Sequence, residues 1–391
     1  MAEVDLPPFT PLQKEVSDRF DKLIRARIER DGSMPFSEYM QRSLYERNLG
    51  YYVNGFSKLG VHGDFTTAPE ISEHFAVCLA NQCVQVFEAI GAAHILEFGG
   101  GSGRLATDLL KTLMQKNSLP QSYQILEVSP ELQQEQRQLI ESELPADVCS
   151  KVIWLDCLPE NFNGVVVANE VLDAFAVERF KIIEGRPHRM MVDVSDDGFY
   201  LLPEADEKIA EVVASIEKDC GAPFIDGYES EFCALVAPWW QSLASCMETG
   251  AVIICDYGSD RCQYYSPKKP TGTLRCFYRH TLHDDPFARP AVQDITADVD
   301  FTAVAMAATE AGMELQGYSP LSEFMLSLDV LDHHQQKLQT LDEREKLAAT
   351  GQLKRVILSQ EMGDRFMVIG FSRGIEEPLR GFSRADWSRL L

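Results

Sequence analysis

Residues 95–105 combine an acidic residue with closely spaced glycines, an arrangement suited to binding a nucleotide. Their sequence is Ile-Leu-Glu-Phe-Gly-Gly-Gly-Ser-Gly-Arg-Leu. Glycines at four of five successive positions let the backbone turn sharply and let a ligand approach without interference from Cβ atoms. The helix predicted to follow begins with unpaired N–H groups. The segment therefore predicts a buried strand, a glycine turn and a helix start that together cradle a nucleotide, although such a run also occurs in a simple tight connection.

The glycine loop can be compared with three nucleotide-binding templates. A phosphate-binding loop ends in Gly-Lys-Ser/Thr, whereas this loop ends in Gly-Arg-Leu, so that template is excluded. The dinucleotide pattern Gly-x-Gly-x-x-Gly survives only in a relaxed form, from Gly101 to Ala106, and stays open as an alternative. The template Glu-x-Gly-x-Gly-x-Gly belongs to class I methyltransferases that bind S-adenosylmethionine, and it fits at four positions: Glu97, Gly99, Gly101 and Gly103.

Two further predicted strands also end in an acidic residue. Glu127 lies near the end of the predicted strand 123–128. A Rossmann-like site has a carboxylate at this position, which accepts hydrogen bonds from ribose hydroxyls. Asp156 ends the segment 152–157 and is placed to accept a hydrogen bond from an adenine amino group. Glu97 is placed to anchor an ammonium group directly or through water. Three acids in successive strand-helix units favour S-adenosylmethionine, and the predicted cofactor site is completed by flanking residues: Ser102, Val128, Cys157 and Asn169.

Composition limits the class of protein. The 391 residues suggest more than one subdomain, and no apolar run approaches the ~18 residues that cross a bilayer, so no membrane insertion is expected. The net charge of −24 at pH 7 disfavours nucleic-acid binding, which depends on basic side chains that neutralise phosphates. An acidic surface suits a basic protein partner, or serves solubility alone.

The ten cysteines and eight histidines lack the spacing of a metal site, so no metal is predicted. Several cysteines lie in apolar segments and indicate reduced core residues of a cytosolic protein. The N-terminal sequence Met-Ala-Glu-Val-Asp has neither an apolar signal region nor an arginine-rich transit pattern. A cytoplasmic location is therefore expected, with a removed leader left open.

The order of elements predicts an α/β fold with a Rossmann-like seven-stranded class I methyltransferase core. A capping box at 10–13 begins an N-terminal helix, and the glycine-punctuated segment 50–72 is a candidate lid, with a surface loop as the alternative. An α+β insertion, with a hairpin turn at 195–198, separates the fourth and fifth strands. Further helices are predicted at 71–89 and 338–353. The predicted divisions are an N-terminal helical and lid region (1–90), the first part of the core (91–175), the insertion (176–248) and the second part of the core (249–391).

With these segments in place, the chain resembles the MidA-type methyltransferase family. The similarity is carried by short motifs along most of the chain: 50–52, 63–72, 97–105, 127–129, 168–174, 255–258 and 294–301. The resemblance implies a Rossmann-like core and S-adenosylmethionine as methyl donor. In the mitochondrial member, a complex I assembly factor, it implies symmetric dimethylation of an arginine in a complex I subunit. The chain itself looks more like the bacterial-type members, whose substrate is open.

The leading hypothesis for function is protein arginine N-methylation. Glu170 and Asp173 follow the fourth predicted strand, where paired carboxylates can align a guanidinium, and Asp64 and Phe65 of the lid are expected near the reaction centre. Glu170 has the alternatives of a helix cap or a ligand of the cofactor amino group, and Asp173 that of a helix-start acid. Rival functions are methylation of a small molecule, a noncatalytic assembly factor that binds S-adenosylmethionine, and a nicotinamide-dependent dehydrogenase. The expected partner is a protein substrate, with a respiratory complex I-like subunit among the candidates, and the oligomeric state is left open, a homodimer included.

Overall fold

The computed structural model describes residues 6–56, 67–91, 93–358, 362–363 and 365–391. The helices are α1 (Pro11–Asp31), α2 (Phe36–Tyr45), α3 (Ala68–Ile71), α4 (His74–Ile90), α5 (Arg104–Gln115), α6 (Pro130–Glu143), α7 (Ala146–Cys149), α8 (Glu207–Cys220), α9 (Val236–Cys246), α10 (Arg261–Tyr264), α11 (Phe301–Glu310), α12 (Leu321–Ser327), α13 (Val330–Leu338) and α14 (Glu343–Ile357). Short 3-10 helices lie at Tyr51–Val53, Arg380–Phe382 and Ser388–Leu390.

The strands are β1 (Met34–Pro35), β2 (His94–Phe98), β3 (Tyr123–Leu126), β4 (Val152–Leu155), β5 (Phe162–Asn169), β6 (Glu178–Ile183), β7 (Arg186–Ser195), β8 (Gly198–Ala205), β9 (Glu229–Phe232), β10 (Met247–Ser259), β11 (Arg275–Tyr278), β12 (Thr281–His283), β13 (Asp294–Thr296), β14 (Val299–Asp300), β15 (Glu314–Pro320) and β16 (Phe366–Arg373). Among the described residues, no helix combines the length and the apolar character needed to cross a membrane.

The chain forms two compact units, each assembled from three separate stretches of sequence. The first unit comprises Met1–Phe65, Asp173–Val236 and Ser259–Asp300, and the second comprises Thr66–Leu172, Ala237–Gly258 and Phe301–Leu391. These divisions follow long-range contacts, which local sequence patterns do not reveal. The four-segment organisation predicted from the sequence stays a prediction.

The second unit is built on a mixed sheet with the strand order β15-β16-β10-β5-β2-β3-β4. Strands β10, β5, β2, β3 and β4 pair in parallel, whereas β16 is antiparallel to β10 and to β15. The run Val-Val-Val-Ala at 165–168 in β5 is buried throughout, as expected for a parallel strand covered on both faces. The α/β class predicted from the sequence is confirmed, and the structure adds that the central sheet is mixed.

The register of the parallel strands places their carboxyl ends side by side. Phe98 at the end of β2 lies opposite Leu126 of β3 and Ala168 of β5. Close approach between β5 and β2 depends on Gly164, because a Cβ atom there would lie 1.9 Å from the carbonyl oxygen of His94. The loops that follow these strands therefore begin at one edge of the sheet, where open α/β sheets bind ligands.

Helices and antiparallel strands make up the first unit. Strands β1, β7, β6 and β9 pair in that order, with β8 added to β7, and β12, β11 and β13 form a second small sheet. The predicted hairpin is confirmed, since Ser195 pairs with Gly198 at the end of β7 and β8. The predicted capping box is also confirmed, because Thr10 and Gln13 exchange hydrogen bonds at the start of α1. Apolar side chains of α1 and α2 pack into a core that includes Phe20, Tyr39 and Val192.

Candidate active site

The glycine loop joins β2 to α5 and adopts a backbone that side chains rarely allow. Gly99, Gly101 and Gly103 have φ angles of 64°, 52° and 86°, all in the left-handed region that favours glycine. A Cβ atom on Gly103 would lie 3.0 Å from the Cα of Gln136. Spacing glycine at every second position therefore meets a steric requirement of the turn itself and leaves the main chain open to a ligand.

Gln136 of α6 braces this loop against the two neighbouring strand ends. The side chain is fully buried, and its Nε2 donates to the carbonyl oxygen of Gly101 at 2.9 Å and to Oε2 of Glu127 at 3.1 Å. Its Oε1 accepts a hydrogen bond from Nε1 of Trp154 at 2.8 Å. The sequence analysis missed this residue, because a glutamine on an amphipathic helix carries no local signal of its three partners.

Glu97 lies within β2 with its side chain almost completely buried, at 2 % exposure. The hydroxyl of Tyr123 donates to its Oε2 at 2.8 Å. Burial raises the pKa of the Glu97 carboxyl from 4.5 to about 8, and the nearby carboxylate of Glu127 adds to the rise. Glu97 is therefore mostly protonated at neutral pH, unless a cation binds beside it.

Glu127 directly follows β3 and is held by local hydrogen bonds. Its Oε1 accepts from the backbone N–H of Ser129 at 3.0 Å, while its Oε2 accepts from Gln136. Burial raises the pKa of Glu127, and these hydrogen bonds oppose the rise because they stabilise the ionised form. The carboxyl group is thus fixed in orientation at the edge of the sheet.

The residues after β3 and β4 present both apolar and polar surface. Val128, two residues after β3, is 62 % exposed and gives this edge an accessible apolar side chain. Asp156 and Cys157 directly follow β4 and are both exposed. Because Leu126 and Leu155 are paired in parallel register, the two loops start as neighbours.

Glu170 directly follows β5 and adopts an uncommon backbone conformation. Its φ angle of 54° lies in the left-handed region, where residues with a Cβ atom are rare. Its Oε1 accepts hydrogen bonds from Nδ2 of Asn169 at 3.2 Å and from the backbone N–H of Ala68 at 3.4 Å. Burial raises the pKa of Glu170 to about 8, and the charge of Asp256 raises it further.

Helix α3 contacts both the glycine loop and the residue after β5. Ser102 of the loop donates a hydrogen bond to the carboxylate of Glu70 and accepts one from the N–H of Arg104 at 3.2 Å. Ala68, at the start of the same helix, donates to Glu170. Glu70 is a second residue without an assigned role in the sequence analysis, since only the folded chain brings it to Ser102.

The other predicted site residues lie in the first unit or outside the described residues. Asp173 belongs to the first unit, where its carbonyl oxygen accepts a hydrogen bond from the N–H of Ala297 at 3.0 Å. Asp64 and Phe65 lie outside the described residues, as does the central part of the predicted lid, residues 57–66. Within the described ranges, no group of three or more histidine, cysteine, aspartate or glutamate side chains could hold a metal ion.

Comparison with known proteins identifies the family. Residues 78–319 match the family model described as "Putative S-adenosyl-L-methionine-dependent methyltransferase". A "likely methyl transferase" from Burkholderia thailandensis, whose crystal structure is bound to S-adenosyl-homocysteine, shares 36 % sequence identity with this chain. Its structure superposes with a TM-score of 0.92, and the match covers 99 % of this chain and 100 % of that one.

Curated relatives with lower sequence identity are also methyltransferases. The "Protein arginine methyltransferase NDUFAF7 homolog, mitochondrial" of Drosophila melanogaster is 28 % identical over 400 residues, covering 93 % of this chain and 88 % of the relative. The NDUFAF7 protein of Xenopus laevis is 30 % identical over 315 residues, covering 73 % of this chain and 68 % of the relative.

The cofactor predicted from the sequence fits the geometry. The left-handed glycine loop leaves its main chain free of Cβ atoms, and the buried, oriented Glu127 carboxyl and the exposed Val128 side chain lie after the adjacent strand. These features suit a nucleoside ligand, and the matched family and the S-adenosyl-homocysteine-bound structure select S-adenosylmethionine over the nicotinamide alternative. The chain belongs to this family of S-adenosyl-L-methionine-dependent methyltransferases, and S-adenosylmethionine is its cofactor.

Proposed function

We propose that the enzyme methylates an arginine side chain of a protein substrate. The observation that carries this proposal is the position of Glu170, a carboxyl group directly after β5 at the sheet edge where the glycine loop begins. The names of the curated relatives, protein arginine methyltransferases, support the same acceptor. A net charge of −24 is compatible with a basic segment as the acceptor.

The cofactor residues are assigned by position around the sheet edge. Backbone groups of the glycine loop would hold the amino-acid end, Glu97 its ammonium group and Glu127 the ribose hydroxyls. The exposed face of Val128 suits contact with the adenine ring, beside the exposed polar groups of the next loop. The full proposed set is Glu97, Gly99, Gly101, Ser102, Gly103, Glu127, Val128, Asp156, Cys157 and Asn169. When bound, S-adenosylmethionine supplies the methyl group from its sulfonium centre.

The proposed role of Glu170 is to bind and align the guanidinium. A guanidinium stays protonated at pH 7, so it is a poor nucleophile until a carboxylate orients it through bidentate, charge-assisted hydrogen bonds. Burial raises the pKa of Glu170 to about 8 when no cation is bound beside it. A cation beside it favours the ionised form, so we expect acceptor binding to release a proton from Glu170 near neutral pH. Orientation and proximity then supply most of the rate enhancement.

Several finer assignments remain part of the proposal. Asp173 and Asp64 are proposed as further carboxylates near the acceptor, and residues 50–72 as a lid. The core is proposed to be the seven-stranded class I arrangement with an insertion between its fourth and fifth strands, which the strand order of the second unit supports. A complex I-like subunit stays a candidate substrate. A cytoplasmic location also stays a proposal, which cell fractionation would test, since the curated relatives are named as mitochondrial.

The test is methyl transfer from isotope-labelled S-adenosylmethionine into a lysate of the source organism, followed by mass spectrometry of the labelled product. We expect labelled methylarginine in a protein band. Glu170→Gln should lower transfer by about 100-fold or more while leaving S-adenosyl-homocysteine affinity intact. The matched control is Glu141→Gln, an exposed glutamate of α6 that should behave like the wild type.

Each alternative function gives a different result in this assay. Label in a small-molecule fraction would replace a protein substrate with a metabolite, and label on another amino acid would refute the choice of arginine. Cofactor binding without any transfer would contradict catalysis. If Glu170→Gln lowers cofactor affinity in parallel with transfer, Glu170 contacts the cofactor and does not align the acceptor.

A further inference from the structure

Asp256 is a fully buried carboxylate in the central sheet of the second unit. It lies on β10, where its neighbour Cys255 pairs with Asn169 of β5. A buried charge is costly unless hydrogen bonds compensate it. The Asp256 side chain accepts three such bonds from backbone N–H groups, and two of them come from the segment that follows β5.

Those two bonds hold the turn that carries Glu170. Oδ2 of Asp256 accepts from the N–H of Val171 at 3.1 Å and from the N–H of Leu172 at 2.9 Å. The N–H of Glu170 itself donates to the carbonyl oxygen of Cys255 at 2.9 Å. Three successive N–H groups of the turn are therefore fixed to two successive residues of β10. This clamp accounts for the left-handed backbone of Glu170, which its side chain would otherwise disfavour.

Asp256 also acts on Glu170 through its charge. The groups that act on the Glu170 carboxyl are Asp256 of β10, the amide of Asn169 and the N–H of Ala68 at the start of α3, and the Cys255 thiol lies close by. The two hydrogen-bond donors stabilise the ionised form, whereas burial and the negative charge of Asp256 disfavour it. Removing that charge should lower the pKa of Glu170.

We infer that Asp256 is a positioning residue for methyl transfer, because it fixes the turn at 170–172 and thereby aims the Glu170 carboxyl at the acceptor. Asp256 does not contact the substrate in this scheme. The inference rests on the role of Glu170 in the proposed function. The motif 255–258 contains Asp256, but the motif alone does not reveal the bonds to the turn, whose residues lie 84 and 85 positions away in the sequence.

Two substitutions separate the geometric effect from the electrostatic one. Asp256→Ala removes the clamp, so kcat should fall by about 10-fold to 100-fold while the Kd of S-adenosyl-homocysteine changes by less than about 3-fold. Asp256→Asn keeps one oxygen that can accept from the turn and removes the charge. Its kcat should fall less, and the acid limb of its kcat/KM against pH, which reports the free enzyme, should move to lower pH by about one unit.

The matched control is Asp260→Asn. Asp260 is also buried and also accepts two backbone hydrogen bonds, from Cys262 at 3.1 Å and Gln263 at 3.2 Å, but it caps the short helix α10. We expect it to leave kcat and the pH profile unchanged. If Asp256→Ala does not fold, as judged by circular dichroism and S-adenosyl-homocysteine binding, Asp256→Asn decides the question.

A second measurement needs no methyl acceptor. Carbon-13 NMR of protein with labelled glutamate carboxyls, titrated against pH, follows the Glu170 signal, which Glu170→Gln identifies by its absence. Asp256→Asn should lower the midpoint of this titration. An unchanged midpoint together with wild-type kcat would overturn the inference, as would a loss of cofactor affinity equal to the loss of kcat. If the enzyme does not methylate arginine, the proposed acceptor is refuted, and the Glu170 titration still tests the effect of Asp256 on its own.

Discussion

Replacing Glu97 by glutamine should change how stability depends on pH. In the folded protein the pKa of Glu97 is raised from 4.5 to about 8, chiefly by burial. Between these values the folded protein keeps a proton that the unfolded chain has released, so stability falls as pH rises through this window and is level above it. At 1.36 kcal/mol per pH unit, the loss has an upper bound of about 5 kcal/mol.

Glu97→Gln has no such titration and keeps an oxygen that can accept from the hydroxyl of Tyr123. Relative to the wild type, the variant should therefore gain up to about 4 kcal/mol of stability between pH 5 and pH 9, or roughly 5 °C in unfolding temperature for a chain of this size. Any fixed cost of the new amide N–H groups is the same at each pH and cancels in this comparison. Glu170, with a similar pKa, titrates in both proteins and cancels as well.

The assay is thermal unfolding of both proteins at pH 5, 6, 7, 8 and 9 in buffers of equal ionic strength. Glu143→Gln is the control of opposite sign, because hydrogen bonds from Arg104 and Lys111 lower the pKa of Glu143 to about 2. The stability that the ionised Glu143 carboxylate contributes is complete above pH 4.5 and is lost only on further acidification. The difference in stability between Glu143→Gln and the wild type should therefore be constant across this series. A constant difference for Glu97→Gln as well would show that burial does not hold the Glu97 proton.

Three further predictions concern the cofactor site. S-adenosyl-homocysteine at about 100 times its Kd should stabilise the protein by about 2.7 kcal/mol, and a larger stabilisation by NAD would contradict the cofactor assignment. Glu127→Gln should raise the Kd of S-adenosyl-homocysteine by roughly 10-fold to 100-fold in calorimetry, since it removes charge-assisted hydrogen bonds to ribose; an unchanged Kd would remove Glu127 from the site. Gly103→Ala should weaken binding by at least about 10-fold, because its φ of 86° and its approach to Gln136 exclude a methyl group. Gly351→Ala is its control, since that helical glycine has open space around it and should tolerate alanine with unchanged affinity.

The sequence was most informative where local chemistry determines structure. The glycine spacing in residues 99–103 is required by backbone angles, and the apolar run in β5 is required by burial on both faces. Helix bounds were less accurate. The helix predicted at 338–353 is present as α14, but its predicted start is wrong: α13 ends at Leu338 and α14 begins at Glu343, where Asp342 and Glu345 form a capping box. That box is visible in the sequence and could have given the break.

The contacts that organise the site could not be predicted from local patterns. Ser102 and Glu70 are 32 residues apart, and Gln136 lies 35 residues from Gly101. The two bonds from the turn after β5 to Asp256 span 84 and 85 residues. Such pairs depend on the strand order of the sheet, and local patterns in a single sequence do not reveal that order. The same reason explains why the first compact unit collects three distant stretches of chain.

The position of β16 has a consequence for synthesis on the ribosome. This strand is made after both β10 and β15, yet it lies between them in the sheet. Until it emerges, β10 and β15 both lack the backbone partners that they find in β16. A nascent chain would thus expose unpaired strand edges, which are prone to pair with other chains. Truncation before residue 366 should accordingly yield aggregates, and the nascent protein should need a chaperone until β16 has emerged.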